Sequence, residues 1–405
     1  MSHKTLIGGA AYEIAGGKTL VNGTSYSIAG GRTLVGGTGY DISFALPAAV
    51  MDLFSSGAIY CAAYANGLWV VGGYRYESST KIACIAYAEK LNGTWTSVNV
   101  GKTGTYAYVT NIVFAGSKWV ITLGRNQCSS IGVCSGTRPS SSWTWITPYT
   151  GSDSAYCNCV LYAEGYWVVG GRIEASNYRG VIWYTTDLTG GSWSEKRLWY
   201  GSNSETNFVT CLAYGNGYFA AAGAGGSSGS YGQVMYAASP DGTWTEANLS
   251  WDSGQNYNAI YCIAYANGYW AVGGRYNPTS GNYSARIAYS SSITGTFTAM
   301  VLWSYAKGMY NMVNGIACAN GLWVAVGQGY EGDERPYYYY ARLAYSTSLA
   351  SGWTGKELWG GSSSGAQSAN CVIYGKRHWL MGGVTGGSAA RVAYGKTPAE
   401  LADAT

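Results

Sequence analysis

Seven residues able to hydrogen-bond recur at one phase of a long repeat: Tyr60, Thr110, Asn158, Thr210, Tyr261, Asn314 and Asn370. Each stands nine residues before a large aromatic in the series Trp69, Trp119, Trp167, Phe219, Trp270, Trp323 and Trp379. If the repeats close into a circle, these polar side chains form a ring that holds channel water or receives a small polar ligand or ion. A second set lies between the repeats, in segments that differ in length and sequence and are rich in Tyr, Ser, Gly and Asn. They are residues 75–79 (RYESS), 200–204 (YGSNS), 225–232 (GGSSGSYG), 251–257 (WDSGQNY), 275–283 (RYNPTSGNY), 303–310 (WSYAKGMY) and 328–340 (QGYEGDERPYYYY). Tyrosine and tryptophan give contact area at low entropic cost while small polar residues adapt, which is the chemistry of a recognition surface and suits sugars. The candidate ligand contacts are Tyr60, Tyr76, Asn158, Tyr200, Tyr257, Tyr261, Tyr283, Tyr305, Tyr330, Tyr337 and Asn370. Trp199, Trp303 and Trp359 each follow a leucine, belong to an outer strand, and are set aside as ligand contacts.

Catalytic chemistry is poorly provided for. The histidines are His3 and His378 alone, which leaves no basis for histidine catalysis or a histidine-rich metal site. Arginines recur at fixed repeat positions (Arg75, Arg125, Arg172, Arg275, then Arg286, Arg342, Arg391), as structural edge residues do, whereas a catalytic group breaks a repeat. Residues 331–334 (EGDE) read either as a solvated acidic loop or as carboxylates for Ca²⁺. No enzyme activity, cofactor or metal is therefore expected. Of ten cysteines, Cys61, Cys159, Cys211, Cys262 and Cys371 share one repeat position and read as small, buried, reduced residues. Cys128 and Cys134 flank one hairpin, close enough in sequence to pair across it, with neither a secretion signal nor a metal-site partner in support.

The elements that must position these residues are β-strands. Only 11% of the 405 residues are charged, against about 25% in an average domain, and 60 are glycine. Tyr, Thr, Val and Trp dominate over helix formers, so the chain reads as all-β with many tight turns. The net charge of +4 is spread thinly, which argues against nucleic acid or an anionic membrane as partner. No apolar run is long enough for a membrane-spanning helix, and residues 1–17 lack the pattern of a signal peptide, so cytoplasmic synthesis without export is expected.

The aromatic anchors mark seven units with a mean spacing of about 52 residues, close to the roughly 50 of a four-stranded kelch-like propeller blade. The residue five before each anchor (Tyr64, Phe114, Tyr162, Tyr214, Tyr265, Cys318, Tyr374) is aromatic in six units, and the residue eight before it is small or medium. That taper from a crowded axis to splayed outer strands predicts a seven-bladed β-propeller. The seventh unit stops after its third strand, and residues 42–54 stand ready to supply the fourth and lock the ring. Residues 1–41 form a separate module of 14-residue repeats (KTLIGGAAYEIAGG, KTLVNGTSYSIAGG, RTLVGGTGYDISF), each two short strands joined at Gly8-Gly9, Asn22-Gly23 or Gly36-Gly37. The expected division is thus an attachment module, 1–41, and a propeller, 42–405.

Two resemblances add to this. Residues 239–244 (SPDGTW), with looser versions near Asp187, Tyr289 and Tyr345, resemble the Asp-box of sialidase-like propellers, whose Asp caps a turn and whose Trp packs between blades. The 14-residue units resemble repeats in structural proteins of tailed bacteriophages and prophages. This second resemblance implies a virion appendage, assembled in the host cytoplasm as a homo-oligomer and docked to other virion proteins through residues 1–41. Its loop face would bind a host cell-surface glycan or protein. A purely structural tail or capsid decoration protein is the alternative, and a sialidase-like glycosidase the third reading.

Overall fold

A computed structural model describes the chain apart from residues 1–2, 8–9, 15–17, 22–23, 28–30, 36–37, 43–47, 106, 125–129, 176–177, 201–206, 226–230, 250, 252–257, 280–281, 305–310, 332–337, 363–366 and 404–405. For the strands within residues 3–42, and for positions 200, 278–279, 282, 331, 361–362 and 402–403, it describes the backbone alone. The chain divides into two compact units, Met1–Pro47 and Ala48–Thr405, with the boundary a few residues beyond the expected 41/42. In the first unit His3–Ile7 pairs with Ala10–Ile14, Lys18–Val21 with Thr24–Ser27, and Gly31–Val35 with Thr38–Ile42, all antiparallel. The anticipated turn residues of these hairpins lie outside the described residues.

The second unit is a seven-bladed β-propeller. Blade 1 runs Gly57–Ala65, Leu68–Glu77, Thr80–Ala88, Thr96–Thr103, each strand pairing antiparallel with the next. The innermost strands of blades 2 to 7 are Val109–Ala115, Ser154–Ala163, Phe208–Gly215, Ala259–Ala266, Met312–Ala319 and Ser368–Gly375. Each touches the innermost strands on either side, and Ser368–Gly375 touches Gly57–Ala65, so the ring is closed. Closure is made as the sequence suggests: Ala49–Phe54 pairs antiparallel with Ala390–Gly395 as the fourth strand of blade 7. Asp52 also receives Arg391 through Nε (2.7 Å) and Nη2 (3.1 Å).

Blade packing follows the repeat. All seven anchors are buried, and in six blades the anchor ring sits 4.7–5.0 Å from the aromatic five residues earlier, its cross-strand partner. Three tryptophans at the outer edge tie their blade to the next: Trp251 Nε1 donates to Arg275 O, Trp303 to Gln328 O and Trp359 to Val384 O, at 2.9–3.0 Å. The recurring Gly-Gly after the anchor has a steric cause. A Cβ on Gly274 would stand 2.0 Å from Ala259 O, and one on Gly273 would meet both Cys262 Sγ (2.8 Å) and Val313 of the next blade (2.6 Å). The chain ends in a helix, Pro398–Asp403, whose Leu401 is buried against blade 7. Thr397 and Glu400 cap it: Glu400 N donates to Thr397 Oγ1, and the Glu400 carboxylate reaches back one residue further, accepting from Lys396 N.

Candidate functional site at the mouth of the axial cavity

Every innermost strand carries a β-bulge at the same place. Its pairing with the second strand skips one residue, and the skipped residues are Tyr60, Thr110, Asn158, Thr210, Tyr261, Asn314 and Asn370. A bulged residue leaves the ladder and its side chain is re-aimed, here toward the axis and the neighbouring blade. All seven line one axial cavity of about 220 Å³, with the five repeat-position cysteines and a belt of aliphatic residues beneath them.

The asparagines and threonines of this ring hold the blades together. Asn158 Nδ2 donates to Val209 O (2.8 Å), Thr210 Oγ1 to Ile260 O (2.6 Å), Asn314 Nδ2 to Ala369 O (3.1 Å) and Asn370 Nδ2 to Ile59 O (2.7 Å). In each case the acceptor is the carbonyl just before the bulge in the following blade. Thr110 reaches the next blade indirectly, its Oγ1 2.8 Å from that of Thr122, which donates to Asn158 O. Asn158 and Asn370, expected as ligand contacts, line the cavity and each give an amide N–H to these blade-to-blade bonds.

Tyr60 and Tyr261 interrupt the ring, because a phenol is too long and rigid to make the same bond. Their hydroxyls have no protein partner among the described residues. The Tyr60 ring instead joins a cluster at the end of the propeller that carries the loops between second and third strands, with Tyr108 at 4.8 Å and Tyr74 at 6.1 Å. Tyr76 meets Tyr74 edge-on at 5.4 Å, and Lys81 Nζ stands 4.4 Å from the Tyr74 ring and 5.7 Å from that of Tyr76. In blade 5 the Arg275 guanidinium lies 5.8 Å from the Tyr261 ring and 5.3 Å from that of Tyr283. Blade 3 has a related but closed arrangement, in which Arg172 lies 4.8 Å from Tyr156 and pairs with Glu174, which also accepts from Tyr156 Oη at 2.8 Å.

Burial first, then the neighbouring tyrosines, push the Tyr60 hydroxyl well above the usual phenol range. Burial also raises Tyr74, and it raises Tyr261 although Arg275 opposes it. These phenols are neutral at physiological pH, able both to donate and to accept.

The mouth thus brings together four expected residues, Tyr60, Tyr76, Tyr261 and Tyr283. Tyr330 does not join them. It is 2% exposed, packed edge-on against Tyr339 at 5.2 Å, and its position as a ligand contact is corrected to a core role. Tyr200 ends a strand whose backbone alone is described there, and Tyr257, Tyr305 and Tyr337 lie outside the described residues, as do Cys128 and Asp333–Glu334 of the acidic segment. Sequence reasoning missed Tyr74, Tyr108 and Lys81, although Tyr74 and Lys81 flank residues 75–79, which it did single out. It also missed the buried amides that fasten loop bases: Asn258 Oδ1 accepts from Asn277 N (2.7 Å) and Asn311 Oδ1 from Tyr330 N (3.4 Å). Their signal is an Asn twelve residues before each anchor in these two blades.

Other candidate chemistry resolves into structure. The ring thiols of Cys159, Cys262 and Cys371 contact Gly170, Gly273 and Gly382 carbonyls at 3.6–3.8 Å, and burial pushes Cys211 and Cys371 up to about 12 and Cys61, Cys159 and Cys262 well above the ordinary thiol range. Cys134 is buried and unpaired, with Sγ 3.3 Å from Ser140 Oγ. In the turns resembling an Asp-box, Asp187 Oδ1 accepts from Thr189 N and Gly190 N, each at 3.1 Å, and those bonds lower its pKa. Trp244 Nε1 donates to Pro240 O (3.1 Å) and Trp353 Nε1 to Leu349 O (3.2 Å), so these tryptophans close their own turns. Among the described residues no three His, Cys, Asp or Glu side chains gather as a metal site, and no helix is long and apolar enough to cross a membrane.

No protein-family model matches the chain, and no curated protein does either. Among solved structures it is similar to Sqt1 from Chaetomium thermophilum (11% identity over 87% of this chain and 98% of that one, TM-score 0.47). It is also similar to the Trypanosoma rangeli sialidase in complex with sialic acid (12%, 93% and 60%, TM-score 0.39) and to the catalytic domain of the Coprinopsis cinerea GH62 α-L-arabinofuranosidase (9%, 64% and 98%, TM-score 0.37). At such identities and TM-scores these likenesses carry no functional argument.

Proposed function

We propose that this chain is a non-enzymatic adhesive propeller, a surface protein of a bacteriophage virion that binds a host cell-surface glycan at the axial mouth. One observation carries the binding reading. A ring that otherwise serves blade cohesion is broken at Tyr60 and Tyr261, and each break leads into tyrosines and a cation at the same end of the propeller. Tyrosine faces stack on the apolar faces of sugar rings, and phenol and amide groups satisfy sugar hydroxyls. Two carboxylates among the described residues at this end, Glu77 and Glu174, are each held by an arginine of their own strand, an arrangement that braces a loop base and does not suit proton transfer. The virion setting rests on the resemblance of the 14-residue units, which in this reading attach the chain to other virion proteins. Display in many copies would turn weak single sites into firm adhesion.

The test is labelling of intact bacteria by the full chain on a multivalent fluorescent carrier, before and after periodate oxidation of surface glycans. Periodate-sensitive labelling supports the proposal. Labelling that survives periodate points to a protein receptor, and the absence of labelling on any strain from which related phages are recovered refutes adhesion.

A further inference from the structure

Resting on the reading of the mouth as a glycan site, we infer that its blade 1 side selects a saccharide bearing an anionic group, a carboxylate or a phosphate, with Lys81 as the pairing cation. Among the described residues, Arg75, Arg138, Arg172, Arg197, Arg342 and Arg391 each have a carboxylate partner. Lys81 has none among the described residues; its ammonium rests on the rings of Tyr74 and Tyr76. Glu77, the acid closest to it in sequence, is bound by Arg75.

A cation held on aromatic faces keeps its full charge while losing part of its water, and it pairs with an incoming anion more strongly than a fully solvated lysine does. Around it the hydroxyls of Tyr60, Tyr74 and Tyr76 have no protein partner among the described residues, which leaves donors and acceptors for sugar hydroxyls. The cavity that Tyr60 opens onto, about 220 Å³, is smaller than the roughly 300–1,000 Å³ that enclose a drug-sized ligand, so it takes a terminal residue of a glycan and not an internal run of chain.

Saturation-transfer NMR on the full chain, titrated with glucuronic acid, glucose 1-phosphate and glucose at low ionic strength, tests this. The inference expects at least one acid to bind about tenfold tighter than glucose, with the gap narrowing as salt is added. Which acid binds tighter distinguishes a uronate-type from a phosphate-type glycan. Lys81→Gln should erase the gap, Lys81→Arg should restore it, and Tyr60→Phe should weaken all three ligands several-fold. Thermal unfolding confirms that each variant is folded. Equal binding of glucose and both acids, or a gap that survives Lys81→Gln, overturns the inference. Periodate-sensitive labelling of cells that is unchanged by Lys81→Gln overturns it too while leaving the adhesive reading in place. Failure of all three saccharides to bind, together with absence of cell labelling, overturns both.

Discussion

Replacing Thr210 by valine separates the structural part of the axial ring from its two interruptions. The Thr210 hydroxyl lies 2.6 Å from Ile260 O in the next blade and 2.9 Å from Ala222 O in its own, and both acceptors belong to fully buried residues. Valine keeps the shape and removes the donor. Leaving a buried carbonyl without its partner costs about 1–3 kcal/mol. With about 2.1 cal/mol/K of unfolding entropy per residue over roughly 360 residues, ~2 kcal/mol lowers Tm by ~2.7 °C. Tyr261→Phe, at the same position one blade on, removes a hydroxyl without a protein partner and should leave stability within about 0.5 kcal/mol of the parent. Scanning calorimetry and urea unfolding of the two variants measure the difference. A Tyr261→Phe variant destabilised as much as Thr210→Val would refute the division into stitching residues and free mouth residues.

Four further outcomes are expected. Removal of residues 1–47 should leave Tm unchanged, while removal of 1–54 strips Ala49–Phe54 from blade 7, exposes the edge of Ala390–Gly395, and should lower Tm and promote aggregation; equal Tm values would contradict the closure. Gly274→Ala forces a Cβ to 2.0 Å from Ala259 O and should cost about 3 kcal/mol or more, whereas Gly355→Ala meets nothing within 4 Å and should change stability by less than about 0.5 kcal/mol, both read by urea unfolding. Iodoacetamide at pH 8 should leave Cys61, Cys159, Cys211, Cys262 and Cys371 unmodified in the native chain and alkylate them after unfolding, with peptide mass spectrometry as the readout. The Asp187 carboxyl is held below its ordinary value by the Gly190 and Thr189 amides, so its stabilisation is present above the unfolded pKa of about 3.9 and is lost as pH falls through the lower folded value; Asp187→Asn should therefore differ most from the parent near neutral pH and converge with it in acid.

What could be read from the sequence was whatever the repeat displays in many copies. The anchors, their aromatic partners and the small residue eight before them recur because every blade solves the same packing problem, and the unfinished seventh unit pointed to residues 42–54 as its missing strand. What could not be read was where a repeated polar group sends its hydrogen bond. Asn158 and Tyr60 occupy equivalent positions and looked alike as ring members, yet the acceptor that separates them is a backbone carbonyl some fifty residues away, in another blade. Tyr330 was misplaced for a related reason. Tyrosine-rich loops look exposed in sequence, but the pairing of Tyr330 with Tyr339 turns it inward. The capping pair Thr397 and Glu400 was legible as Thr-x-x-Glu with proline at the first helical position, and it went unread in a chain otherwise made of strands.

The closing strand also decides how the propeller bears mechanical load. Six blades are each wound from one continuous stretch of chain, whereas blade 7 joins the two ends of the propeller segment. Any pull delivered through residues 1–47 enters at Ala48 and falls first on the five residue pairs between Ala49–Phe54 and Ala390–Gly395 and on the Asp52–Arg391 bridge. That clasp is the mechanical fuse of the molecule. Under tension applied through residues 1–47 it should give way before any other blade opens, and a force-extension trace should show its rupture as the earliest event in the propeller.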